Sequence, residues 1–242
     1  MHHLLCSALN TTMNLFILSL IPTEAAEAMM DKHIAKILLE AVQMLCTAMR
    51  VLVPNSPIID ELYKQAHLNH PVSIWVRESR ENFIWTLDLV EALHEEWLFR
   101  YDHPDVKQHR SYAMAQLLRR NVPRDECFPC PRAGLTPFAL AMPDEYKAPS
   151  GNAVESYRAY YMSPEKRRIA AWNKRRPAPE WYSFSETQLQ QKVQPNQIPT
   201  NQNKSKQIKT KTNQNKNKSK QKQINKIYIN FMCLFVFHNL NL

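Results

Sequence analysis

The sequence predicts an all-α fold, and three observations carry that expectation. Apolar residues recur at three- and four-residue steps over long stretches, prolines stand where helices open and close, and no stretch alternates apolar and polar residues at period two. The 242 residues, 44% apolar and 22% charged, suit one globular domain with additional chain.

The elements follow in order. Pro22-Thr23-Glu24 is a helix-start signature with Thr23 as cap, and Ile34, Leu38, Ala41, Leu45, Met49 and Leu52 continue helical periodicity to about Val53. Pro54-Asn55-Ser56-Pro57 ends that segment, and a short helix is expected over 57–66. The turn His67-Leu68-Asn69-His70-Pro71 sets Pro71 to open the next helix. That helix, expected over 72–101, carries Phe83, Leu87, Val90, His94, Trp97, Leu98 and Tyr101 on one stripe and has the aromatic weight of a central core helix. Residues 106–121 read as a further helix, and 123–149 as an irregular, Pro-rich passage with a turn near 138–141. Segments 153–162 and 164–173 read as helices, and Pro177-Ala178-Pro179-Glu180-Trp181-Tyr182 closes the domain.

Composition excludes several classes. With only Gly134 and Gly151 in the chain, neither a dinucleotide-binding G-x-G-x-x-G nor a P-loop can be written. The net charge of +9 invites a nucleic-acid reading, but ten lysines (192, 204, 206, 209, 211, 216, 218, 220, 222 and 226) stand beyond Thr187 with no acid among them. Taking those ten from the chain's 31 Lys and Arg leaves 21 basic against 22 acidic side chains, so the globular part is near neutral. The Lys/Asn/Gln-rich tail lacks the apolar content to fold and is expected to be a disordered extension with loose, salt-sensitive affinity for polyanions.

The apolar runs 15–21 and 227–237 fall short of the roughly 20 residues a membrane span needs. The first lacks a basic approach and a small-residue cleavage site, so the expectation is an intracellular protein, in cytoplasm or nucleus, neither secreted nor membrane-bound. Five scattered cysteines do not form a disulfide framework. Cys127-Phe128-Pro129-Cys130 has metal-ligand spacing and His103 and His109 could complete it in principle, but no second C-x-x-C exists and the prolines around the pair argue for a plain loop, so no metal and no cofactor is expected.

His33, Lys36 and Glu40 are spaced by three and four and share a helix face. Glu40, among Ile37, Leu38, Leu39, Ala41 and Val42, is either at a helix edge in water or partly desolvated, the state that suits a general acid/base. His67 and His70 read as turn or capping partners, His94 as a core histidine, and Met29, Met30, Met44 and Met49 as core filler. Lys166, Arg167, Arg168, Lys174, Arg175 and Arg176 interleave with Trp172 and Trp181, which makes either a nucleic-acid face or a basic helix whose tryptophans are buried. Arg77, Arg80, Arg119, Arg120 and Arg124 would extend either surface.

An ordered set of words then points to a family. Asp31-Lys32-His33-x-x-Lys36-x-x-x-Glu40, Asn69-His70-Pro71-x-x-x-Trp75, Glu96-Trp97-x-x-Arg100-Tyr101, Met142-Pro143-Asp144-Glu145-Tyr146-Lys147 and Arg176-Pro177-x-x-x-Trp181-Tyr182 resemble the pyrimidine-dimer DNA glycosylase, or endonuclease V-like, family over roughly residues 14–184. The chain also resembles a group of phage and large-virus proteins that share the D-K-H, N-H-P-x-x-x-W-x-R-E-S and M-P-D-E-Y-K words. The resemblance implies a compact all-α monomer that binds damaged double-stranded DNA, bends it and extrudes a base. It further implies an N-terminal amine, here that of Asn14 or Met13 after processing, that attacks C1′ to form a Schiff base. Glu40 matches the catalytic glutamate, His33 matches a histidine near the site, and Trp181 and Tyr182 match the closing aromatic segment. Leu39 and Gln43 stand where the family has two arginines, and twelve residues precede Met13.

The expected organisation is an extension over 1–12, a helical endonuclease V-like domain over 13–186 and a low-complexity basic tail over 187–242. The expected catalytic set is Glu40, His33 and Asn14, and the expected DNA-contacting set is Lys36, Arg77, Arg80, Lys174, Arg175, Arg176, Trp181 and Tyr182. Two other functions fit the same residues: a non-catalytic nucleic-acid-binding or interaction protein on this scaffold, and a nucleotide- or base-modifying enzyme using His33, Glu40, His67 and His70, with or without a metal.

Overall fold

The structure, a computed structural model, describes residues 13–184; the expected extension at 1–12, the basic tail and the apolar run at 227–237 lie outside the described residues. Seven α-helices and no strand occur among the described residues, so the fold is all-α as the periodicity requires.

Two of the expected helices are each split in two. Helix α1 spans Pro22–Ala28 and α2 spans Asp31–Leu52, with Met29 and Met30 extended between them. The cap of α1 is Ile21 without a side-chain hydrogen bond, not Thr23, because Pro22 itself takes the first helical position. The break persists because distant side chains satisfy its backbone groups. Arg100 donates to the carbonyls of Ala26 (3.3 Å), Glu27 (2.8 Å) and Met29 (2.7 Å), which terminate α1, and to Asp31 Oδ1 at 3.1 Å. Asp31, at the start of α2, also accepts from the Asn173 N–H through Oδ2 at 2.7 Å, and its own N–H donates to the Ala171 carbonyl.

The second split gives α3, Pro71–Val76, and α4, Arg80–Arg100. Pro71 opens α3 as expected, with His70 Nδ1 accepting from the Val72 N–H. Ser79 caps α4 by accepting from the Asn82 N–H, and Asn82 Nδ2 reaches back to the Trp75 carbonyl at 2.8 Å. The same asparagine pairs with Thr136 through both ends of its amide, which ties the break to the irregular passage. Helix α4 is buried around most of its circumference, from Phe83 and Trp85 to His94, Glu96 and Arg100. It packs on α1, α2, α3 and on α5, Arg110–Arg120.

Residues 57–66 form only a 3-10 turn at Ile59–Glu61, held from α2 by Arg50, which donates to the carbonyls of Ile59, Leu62 and Tyr63. Residues 121–152 are irregular, with 3-10 turns at Asp125–Cys127 and Asp144–Tyr146 and no turn at 138–141. Helix α6 spans Ala153–Tyr161 and α7 only Pro164–Arg167. The expected helix over 164–173 stops early because the chain leaves it to join α1 and α2: besides the Asp31 bonds, Trp172 Nε1 donates to the Ala28 carbonyl. Trp172 is buried, so the basic stretch takes the form in which that tryptophan belongs to the core.

Candidate active site

The segment before α1 positions the site. Residues 13–18 carry no regular structure yet are all buried, and Met13 is 3% exposed within the hydrophobic core. Buried irregular backbone needs partners, and the Asn14 side chain meets three of its groups. Its Oδ1 accepts from the N–H groups of Leu15 (2.9 Å) and Phe16 (3.3 Å), and its Nδ2 donates to the Ala141 carbonyl at 2.7 Å. Phe16 is bent into the left-handed region at φ 51°, which turns its ring onto His33 with centroids 4.6 Å apart.

The backbone nitrogen of Asn14 donates to Glu40 Oε2 at 3.2 Å, and Lys36 Nζ, one helical turn before Glu40 on α2, pairs with Oε1 at 2.5 Å. The Glu40 side chain is 14% exposed and that of Lys36 51%, so the carboxylate sits at the rim of the core and the ammonium leads outward. Such a carboxylate can take a proton from an adjacent amine and return it to a reacting atom.

His33 lies behind this pair instead of at its mouth. It is buried between Phe16 and Tyr161, with Nδ1 2.6 Å from the Tyr161 hydroxyl. Burial first, then Lys166 and Lys36, push its pKa down to about 3, so the imidazole is neutral near pH 7. Burial likewise pushes the Tyr157 and Tyr161 phenols well above the ordinary tyrosine value. Tyr161 accepts from the Met30 N–H, and using its own proton toward His33 Nδ1 satisfies both groups; the histidine proton is then assigned to Nε2. Helix α6 thus fixes both sides of the site, since Tyr157 bonds the 139–141 passage that holds Asn14.

Lys166, a member of the basic stretch, belongs here too. Its side chain is 10% exposed, and its ammonium lies 5.3 Å from the Phe16 centroid and 4.8 Å from that of Tyr160, with Glu165 3.5 Å away. Sequence reasoning did not place it at the site. The spacing of Tyr157, Tyr160 and Tyr161 is the one signal that would have marked the aromatic wall beneath it.

The remaining expected contacts are distributed differently. Arg77 is committed to the carbonyls of Leu68 and Ser73, and burial lowers its pKa. Arg175 bonds Asp102 and the Phe99 carbonyl, and Arg176 forks onto Glu96 with a further bond to Glu27. Lys174 is exposed, its ammonium 5.7 Å from the Tyr101 ring centroid, and Arg80 stands at the first position of α4. Trp181 packs against Tyr161 beneath the Arg158 guanidinium, and Tyr182 is buried against Trp172. The structure therefore brings Glu40, Asn14 and Lys36 together and sets His33 apart against Phe16 and Tyr161, while Arg77, Arg175 and Arg176 are engaged within the fold.

His67 and His70 shape the turn that opens α3, and His94 accepts from the His109 N–H and stacks on Tyr112. Among the described residues no three His, Cys, Asp or Glu side chains gather as a metal site, and no helix is long and apolar enough to cross a membrane. No family model, curated protein or solved structure matches the chain.

Proposed function

We propose that the helical unit is a DNA glycosylase and abasic-site lyase acting on damaged pyrimidines in double-stranded DNA, inside the cell and as a monomer. An amine beside Glu40 attacks C1′ of an extruded nucleotide, and Glu40 moves the protons of imine formation and strand cleavage. The observation that supports this reading is the convergence on one rim carboxylate of the residue-14 nitrogen at 3.2 Å and a lysine ammonium at 2.5 Å. The ordered motif resemblance assigns the same glutamate the same task.

The test is incision of a duplex carrying one cyclobutane pyrimidine dimer, beside its undamaged twin and a duplex with one abasic site. Cleavage at the lesion and at the abasic site, with the undamaged strand intact, is the expected result; no cleavage of either substrate rejects the proposal.

A second reading is a non-catalytic DNA-binding protein on this scaffold. It is favoured by the peptide bond between Met13 and the residue-14 nitrogen, with Met13 itself packed in the core. Preferential binding of the dimer duplex without incision would select it.

A further inference from the structure

We propose that in the full chain the amine that forms the Schiff base is Nζ of Lys36. This rests on the lyase reading above and names the nucleophile it requires. In the chain as it stands Asn14 follows Met13, so its nitrogen is an amide whose lone pair is delocalised into the carbonyl, and its single N–H is spent on Glu40. Met13 is packed in the core at 3% exposure, so excising it to free that nitrogen would also empty a core position.

Lys36 meets the requirements that the residue-14 nitrogen does not. Its amine is primary, it contacts Glu40 Oε1 at 2.5 Å, and at 51% side-chain exposure it is open to a macromolecular substrate. Lys166, the other lysine whose charge is felt at His33, is enclosed over the Phe16 and Tyr160 rings with only 10% of its side chain exposed. Of the two, only Lys36 combines access with a proton acceptor.

The substrate class is an abasic deoxyribose in its open, C1′-aldehyde form. Glu40 takes a proton from the Lys36 ammonium, and the free amine forms a bond to C1′ while the carbonyl π pair moves to oxygen, which receives that proton. The carbinolamine loses water to give a protonated imine. The Glu40 carboxylate then removes a C2′ proton, and the C3′–O bond breaks with its electron pair leaving on the 3′-phosphate. Hydrolysis of the imine returns Lys36, and no oxidant or reductant enters.

The test is borohydride trapping of the full 242-residue chain on an abasic-site duplex, followed by tryptic mapping of the adduct. Borohydride reduces the imine to a stable secondary amine, and trypsin does not cut after an alkylated lysine. The expected adduct lies on the peptide running from His33 to Arg50, and Lys36→Arg, which keeps a cation at Glu40 but cannot form the imine, lowers trapping at least about 100-fold. Mapping the wild-type adduct does not depend on that variant folding. An adduct on an α-amine, on Lys166 or on a lysine of the 192–226 run, with Lys36→Arg trapping as well as wild type, overturns the assignment and leaves the lyase reading standing. Absence of both adduct and incision overturns the two together.

Discussion

The backbone nitrogen of Asn14 lies 3.2 Å from Oε2 of Glu40, a residue 26 positions further along the chain. The contact exists because a buried irregular segment crosses the rim of α2, and the Asn14 side chain, not secondary structure, satisfies the N–H groups of Leu15 and Phe16.

Replacing Asn14 with Ala leaves the buried Leu15 and Phe16 N–H groups without their acceptor and removes the bond to Ala141. A loss of about 1–3 kcal/mol is expected from the unpaired donors. Urea unfolding measures it, and an unchanged midpoint would show that the segment is held by apolar burial alone.

Arg100 uses all its guanidinium N–H directions on Glu96, Asp31 and the carbonyls that end α1, with its side chain fully buried. Arg100→Met leaves Asp31 and Glu96 as buried, less compensated carboxylates and should cost about 3–5 kcal/mol. Arg119→Met removes the half-exposed bridges to Asp88 and Glu91 and should cost no more than about 1 kcal/mol. Denaturant midpoints of the two variants in parallel give the contrast, and equal losses would contradict it.

Stability should fall in mild acid. Burial lowers the pKa of His33, His70, His94 and His109, so the unfolded chain takes up protons first as pH drops below about 6.5. For His33 the loss runs from the unfolded value near 6.5 down to about 3, where the folded state also protonates. In that window one such group contributes a slope of about 1.4 kcal/mol per pH unit. His33→Phe keeps a ring against Phe16 and removes the titration, so its stability profile between pH 4.5 and 6.5 should be flatter than that of the wild type by about that slope. Profiles of equal steepness would show that His33 does not contribute.

The helical class, the shared face of His33, Lys36 and Glu40, and the opening of α3 at Pro71 were legible because each rests on local spacing or on proline geometry. The helix breaks were not, because their partners are remote: the carbonyls of α1 are met by Arg100, more than seventy residues later, and the α3–α4 junction by Thr136. The early end of α7 has the same origin in Asp31. The apolar run 15–21 has no helical or strand period to read, since its backbone groups are met by side chains: Asn14 for the N–H groups of Leu15 and Phe16, Arg158 for the Leu18 carbonyl and Trp85 for that of Leu20. Basic residues mark where charge is available, but sequence does not say whether Arg175 and Arg176 face a phosphate or the chain's own Asp102 and Glu96.

The ten lysines beyond Thr187 account for the whole of the net positive charge, so deleting residues 187–242 should weaken binding to undamaged DNA and flatten its dependence on salt. Fluorescence anisotropy at several salt concentrations checks this. An unchanged slope would place the phosphate contacts on the helical unit.

Proton transfer by Glu40 at this rim is read out by single-turnover cleavage of an abasic-site duplex by wild type and Glu40→Gln. The variant keeps the shape of the side chain and loses its basicity, so the rate should fall by about 10²–10⁴ while the folded fraction is unchanged. Cleavage by Glu40→Gln at the wild-type rate would contradict the account.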